Sequence, residues 1–200
     1  NPDVVYGIPK LDSELGEHIF SRLYSKSRRL SSVISRTAQG SPENGSVFYS
    51  SATAYNWIPL FRSINTLPSE LNNEKQLSLL REWDAQSPEL ADVSFAILNS
   101  RLVYWLWRVV GDGFHLTDTF ILNLPLSPQD LNREQLSSLI DLAQVLWQQM
   151  VRHPVASSNS GIKGTTFCPY VCDSELDAID SILIKAYNLP KKTLGYLKTF

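Results

Sequence analysis

Sixteen consecutive residues, Phe95 to Val110, include only four that are neither apolar nor aromatic: Asn99, Ser100, Arg101 and Arg108. Leu98, Leu102, Trp105, Leu106 and Val109 fall at helical spacing, and Val103, Tyr104, Trp107 and Val110 cover much of the remaining circumference. A helix apolar on nearly all sides has to be surrounded by protein, so the rest of the chain is expected to wrap around it. Two arginines and a length below the ~18 residues of a membrane span argue against a bilayer crossing. Gly111-Asp112-Gly113 follows, and glycine is the usual residue where a chain leaves a helix through positive φ. Phe114-His115-Leu116 alternates like a short strand, and Thr117-Asp118 can cap one helical turn. Asn123-Leu124-Pro125-Leu126 is expected to leave extended, because residues before proline avoid the α region. These pieces are expected to pack as one unit.

Upstream, Pro9 to Ala38 has the spacing of one long amphipathic helix, with Leu11, Leu15, Ile19, Leu23, Leu30 and Val33 approximating one face. Its later part is basic, with Arg22, Lys26, Arg28, Arg29 and Arg36 and no acid between Glu17 and Glu43. Such a run is either an ordinary solvated face or a set of phosphate contacts. Ser46 to Phe61 suggests two strands, Val47–Tyr49 and Tyr55–Ile58, joined by a loop of small residues. Tyr49, Tyr55, Asn56 and Trp57 can approach a groove there, Asn as a bidentate partner of adenine and the rings against sugar or an unstacked base. Half-buried core is the other account of the rings. Arg62, just beyond, is a phosphate-contact candidate. Ser63 to Asp92 turns acidic, with Leu71, Leu77, Leu79, Leu80 and Trp83 suggesting a short helix in a surface insertion.

Downstream, Asn132-Arg133-Glu134-Gln135 has the form of a capping box, and Leu136, Leu139, Ile140, Ala143, Leu146, Trp147 and Met150 form the apolar stripe of the helix it starts. Pro154 stops that helix, which is expected to pack on Phe95–Val110. Val155 to Val171 is polar enough for a Ser/Gly loop, where Lys163 either faces water or meets a phosphate. Cys168 and Cys172 lie near His153, but one cysteine pair and one histidine fall short of the four ligands of structural zinc, so two buried thiols are expected. A last helix starts at Asp173 or Ser174 and stops at Tyr187-Asn188-Leu189-Pro190, with one short helical turn after it.

The order Leu98-Asn99-Ser100, aromatic helix, Gly111-Asp112-Gly113-Phe114-His115-Leu116, then Asn123-Leu124-Pro125-Leu126 resembles the C-terminal region of N6-adenine DNA methyltransferases of type II and IIG restriction–modification systems. The terminal helix, its aromatic-Asn-Leu stop and the final short helix are similar as well. The resemblance implies a target-recognition domain that grips double-stranded DNA for a methyltransferase core in the parent chain. It implies S-adenosylmethionine as the parent's cofactor, and two cysteines, too few for a disulfide framework, fit a cytoplasmic protein. Its DNA-contact candidates are Lys26, Arg28, Arg29, Arg36, Tyr49, Tyr55, Asn56, Trp57, Arg62, Gly111, Asp112, Gly113, His115 and Lys163.

Chemistry of its own is not expected of this chain. It has no Asn/Asp-Pro-Pro-aromatic motif to hold a flipped adenine, and its Gly-Asp-Gly follows a helix rather than a strand. Asp112 and His115 form a pair without a nucleophile or metal set. A net charge of -2 gives no global attraction to nucleic acid, so DNA contact has to come from a local patch. The chain opens on Asn1-Pro2 and its sole methionine is Met150, which suggests a piece of a longer protein. The expected fold is helix-rich α+β, a small antiparallel sheet or hairpin packed with a buried central helix and long amphipathic helices. One domain is expected over residues 1–200, with a hairpin and central-helix part (1–126) and a helical part (127–200). An interaction module docking on another domain, without DNA contact, is the alternative function. A small catalytic domain is the third.

Overall fold

A computed structural model describes residues 9–37, 47–51, 57–63, 80–159 and 162–199, without the side chains of 47, 155–159 and 162–166. The fold is mixed α+β and helix-rich, with a four-stranded antiparallel sheet, a separate hairpin and seven α-helices among the described residues. None of these helices is long and apolar enough to cross a membrane.

The long N-terminal helix expected over Pro9–Ala38 is instead three elements. Helix α1 spans Glu14–Tyr24, capped by the Ser13 hydroxyl, which accepts from the Gly16 amide. The chain then runs extended to a 3-10 turn at Leu30–Ser32 and enters strand β1, Ile34–Arg36. Leu30, Val33 and Ile34 are all buried, and such burial together with strand pairing outweighs the helical spacing of the leucines. The basic run is therefore divided between the last turn of α1 (Arg22), irregular chain (Lys26, Arg28, Arg29) and β1 (Arg36), not aligned on one helix.

Strand β2 is Val47–Ser50, β3 is Leu60–Phe61 and β4 is Arg81–Ala85, in the spatial order β1-β4-β2-β3. The second strand of the hairpin thus lies beyond the expected Tyr55–Ile58, and β2 meets it with Tyr49 opposite Phe61. Residues 81–85, assigned from sequence to a surface helix, supply the inner strand between β1 and β2. Trp83 is fully buried there, stacks on Phe48 at 6.4 Å and donates to the Ser50 hydroxyl at 2.8 Å. Leu71, Leu77 and Leu79 lie outside the described residues.

The apolar run is two helices, α2 (Pro88–Asn99) and α3 (Arg101–Val110), broken at Ser100. Ser100 is extended at ψ 149°, and its hydroxyl accepts from the Val103 amide to start α3. The Ser100 hydroxyl also donates to Ile97 O at 2.6 Å, and Asn99 Nδ2 donates to Phe95 O at 2.8 Å, so side chains satisfy carbonyls at the end of α2. Every residue from Ala91 to Asn99 is buried. Helix α2 contacts strands β2, β3 and β4 as well as the later helices.

Helix α4 is Asp118–Leu122, capped by the Thr117 hydroxyl. Phe114–Leu116 and Asn123–Leu126 are irregular rather than strands, although Leu30 N donates to Leu124 O. Helix α5 is Arg133–Arg152, and both hydrogen bonds of its Asn132/Gln135 capping box form. It packs on α2, as expected. Residues 155–166, expected as loop, contain an antiparallel hairpin of β5 (Val155–Asn159) and β6 (Ile162–Thr166). Its polar composition hid the pairing. Helix α6 is Asp173–Ala186, starting at Asp173 without a side-chain cap, and the Ser174 hydroxyl donates to Glu175. Asn188, at φ 54°, turns the chain toward α7, Thr193–Thr199.

Candidate nucleic-acid interface

At the end of α3 the chain has little room. A Cβ on Gly111 would stand 2.5 Å from Trp107 O, so only glycine leaves the helix here without displacing backbone. Gly111 itself is extended at φ -88°, and it is Gly113, at φ 82°, that occupies the left-handed region. Between and after them Asp112 ties the turn together. Its Oδ1 accepts from the amides of Phe114 (2.8 Å) and His115 (2.7 Å), and its Oδ2 lies 2.5 Å from His115 Nδ1. The hydrogen bond from His115, followed by those two amides, lowers the Asp112 carboxyl to about 2. Trp107 Nε1 donates to His115 O at 3.1 Å, which anchors the far side of the turn.

The result is a fixed, exposed knob. The His115 side chain is 60% exposed, and with Nδ1 held by Asp112 its Nε2 is left for an outside partner. Phe114, an exposed large apolar residue, packs edge-on against the His115 ring at 4.8 Å. Beside the knob lies a cleft of about 280 Å³ walled by Trp107, Val110 and Phe120 and edged by Asp112, His115 and Thr117.

Positive charge gathers around this knob. Lys10 Nζ donates to Gly111 O at 3.2 Å, and Lys10 N donates to Val109 O. Arg81 donates to Leu116 O and pairs with Asp118 at 2.8 Å, and Arg36 reaches the other oxygen of Asp118 at 3.3 Å. Arg36 also lies over the Trp83 ring and donates to Thr37 O and Glu82 O. Arg36 and Arg81 thus share the Asp118 carboxylate, Lys10 holds the Gly111 carbonyl, and Arg108 is exposed on the last turn of α3.

Gly111, Asp112, Gly113, His115 and Arg36 are therefore brought together. The other basic candidates go elsewhere. Arg28 bonds Gln129 O and pairs with Asp130 at 3.1 Å. Arg29 donates to Lys26 O and lies over the Tyr24 ring, and Lys26 is half-buried beside it. Arg62 pairs with Asp92 at 2.5 Å, both side chains largely buried. Tyr49 is buried against Leu80 and Phe61. Trp57 is half-buried and meets Tyr170 edge-on at 5.5 Å. Tyr55 and Asn56 lie outside the described residues, and Lys163 is placed only by its backbone, in β6.

Sequence reasoning missed Lys10 and Arg81. Arg81 was hidden by the helical reading of its segment; the Ser87-Pro88 start signal of α2 was the available clue that residues 81–85 form a separate element. Cys168 and Cys172 are free and buried, and burial pushes their thiols up to about 12 and about 11. Among the described residues no group of three or more His, Cys, Asp or Glu is placed to hold a metal ion. No protein-family model matches the chain, and neither a curated protein nor a solved structure matches it.

Proposed function

We propose that this chain is the DNA target-recognition part of an N6-adenine DNA methyltransferase or fused restriction–modification enzyme. The methyltransferase core and its S-adenosylmethionine lie outside the chain. The reading rests on the motif order that resembles such enzymes. The observation that carries it is the exposed Gly111–His115 turn with Lys10, Arg36 and Arg81 gathered around it. The arginines and the lysine are the candidate phosphate contacts, which fix register. The imidazole and Phe114 are the groups that reach base edges, sugar or an unstacked base.

The alternative, a docking module without DNA contact, is favoured by one fact. Arg28, Arg62 and Arg101 are all engaged in ion pairs within the chain, and Arg36 and Arg81 share Asp118. Anisotropy titration of fluorescent duplexes across a range of salt separates the two. Recognition predicts binding whose salt slope falls by about one unit for each of Arg36→Ala and Arg81→Ala. His115→Ala is then expected to cost roughly 1–3 kcal/mol on the recognised sequence alone. Absence of duplex binding at low salt would abandon the DNA reading in favour of docking.

A further inference from the structure

The Gly111–His115 turn decides which hydrogen the His115 ring carries. Asp112 Oδ1 accepts from the Phe114 and His115 amides, and its Oδ2 lies 2.5 Å from His115 Nδ1. The hydrogen bond from His115, followed by the two amides, holds the Asp112 carboxyl at about 2, so it is ionised at neutral pH. A carboxylate has no hydrogen to give, and Nδ1 must therefore be the donor of that third bond. A neutral imidazole has one N–H, which is here committed to Asp112. Nε2 is left with a lone pair.

Among the described residues none hydrogen-bonds to Nε2. The two nitrogens of an imidazole point in nearly opposite directions, so a ring anchored through Nδ1 and 60% exposed carries Nε2 on its outer side. The cations around the turn are directed to other acceptors: Lys10 Nζ donates to Gly111 O, and Arg36 and Arg81 share Asp118. An acceptor so placed selects a donor. In the major groove adenine N6 and cytosine N4 donate, whereas guanine and thymine present only acceptors.

We infer that Asp112 is a positioning residue that presents His115 Nε2 as an acceptor, and that the base read at this turn bears an exocyclic amino group, as adenine and cytosine do. This rests on the DNA target-recognition reading and adds the class of base to it. The same geometry dictates how to invert the preference. In Asp112→Asn the two backbone amides keep the side-chain carbonyl oxygen, because an NH₂ group turned toward them would set donor against donor. The Asn NH₂ then faces Nδ1, which becomes an acceptor, and the ring N–H moves to Nε2. The outward atom of the variant is a donor. Guanine and thymine become its partners, and cytosine, which offers no acceptor there, is rejected.

Imidazole ¹⁵N shifts of the labelled chain at about pH 8 report the tautomer, with the His115 signals assigned by their loss in His115→Ala. Wild type is expected to show a protonated Nδ1 and a bare Nε2, and Asp112→Asn the reverse. Selection from a duplex library of randomised sequence, followed by sequencing, reads the base. Wild type is expected to favour adenine or cytosine about tenfold over guanine and thymine at one position. Asp112→Asn is expected to move that position to guanine or thymine, and His115→Ala to leave it unrestricted. A bare Nδ1 in wild type, or an unchanged tautomer in Asp112→Asn, overturns the inference before any DNA is added. Duplexes bound without such a position, or with one that Asp112→Asn does not move, overturn it and leave the DNA reading standing. Binding of no duplex at all overturns the DNA reading and the base assignment with it.

Discussion

Asp180 is the most demanding group in the fold. Its side chain is completely buried, and its bonds to Leu102 N (3.2 Å) and Arg101 (3.3 Å) are both long. Burial therefore outweighs them, and the carboxyl is pushed from 3.8 to about 6. A raised folded-state value means that the folded chain holds this proton to higher pH than the unfolded chain does. Its contribution is therefore fully present below about pH 4 and is lost as pH rises to about 6. A shift of about two units corresponds to roughly 3 kcal/mol. Asp180→Asn keeps the acceptor for Leu102 N and removes the titration, while Arg101 keeps Asp173 and Asp177. Urea unfolding of both proteins across this pH range gives the test as a difference. Wild-type stability minus variant stability should fall by about 3 kcal/mol between about pH 4 and pH 7, the other acids cancelling. A flat difference would refute the dominance of burial. A difference rising with pH would mean that Arg101, not burial, governs Asp180.

At the turn, Gly111→Ala drives a Cβ onto Trp107 O and should cost about 1–3 kcal/mol in urea melts, with weakened duplex binding, whereas Gly113→Ala meets no atom and should cost only about 1–2 kcal/mol of backbone strain. Equal costs would show that crowding at Gly111 is relieved cheaply. Asn132→Ala removes one half of the capping box and should lower stability by about 1 kcal/mol in the same melts. Leu98→Ala, in the wall between α2 and the α6 side of the core, should cost about 2–5 kcal/mol by thermal or urea unfolding.

Elements whose signals are local were legible in the sequence. The α5 capping box, the Thr117 cap, the Gly-Asp-Gly stop and the two buried cysteines all depend on residues within a few positions of one another. The break at Ser100 depends on the same kind of signal, a serine cap, but the apolar run on both sides masked it. Strand β1 was lost because Leu30 and Val33 fit a helical stripe, and nothing local tells a stripe from a strand whose partner is still to come. Strand β4 was lost for the same reason, and with it Arg81. At the candidate interface the turn residues were found as a string. Their basic neighbours Lys10 and Arg81 were not, because long-range pairing alone brings them there.

The strand order has a consequence for how the chain is made. Strand β1 is the first to leave the ribosome, yet its partner in the sheet is β4, which follows β2 and β3. Until β4 emerges, β1 has no neighbour to zip onto, and Leu30, Val33 and Ile34 wait without cover. Helix α2 begins three residues after β4 ends, so nearly one stretch of translation delivers both the missing strand and the core helix behind it. Closing so long a loop is entropically slow, and the nascent chain is exposed to wrong pairing in the interval. Of the described strands, a stalled or truncated product ending before residue 81 carries two that fit each other and one whose partner has not been made. Such a product belongs to the chaperones.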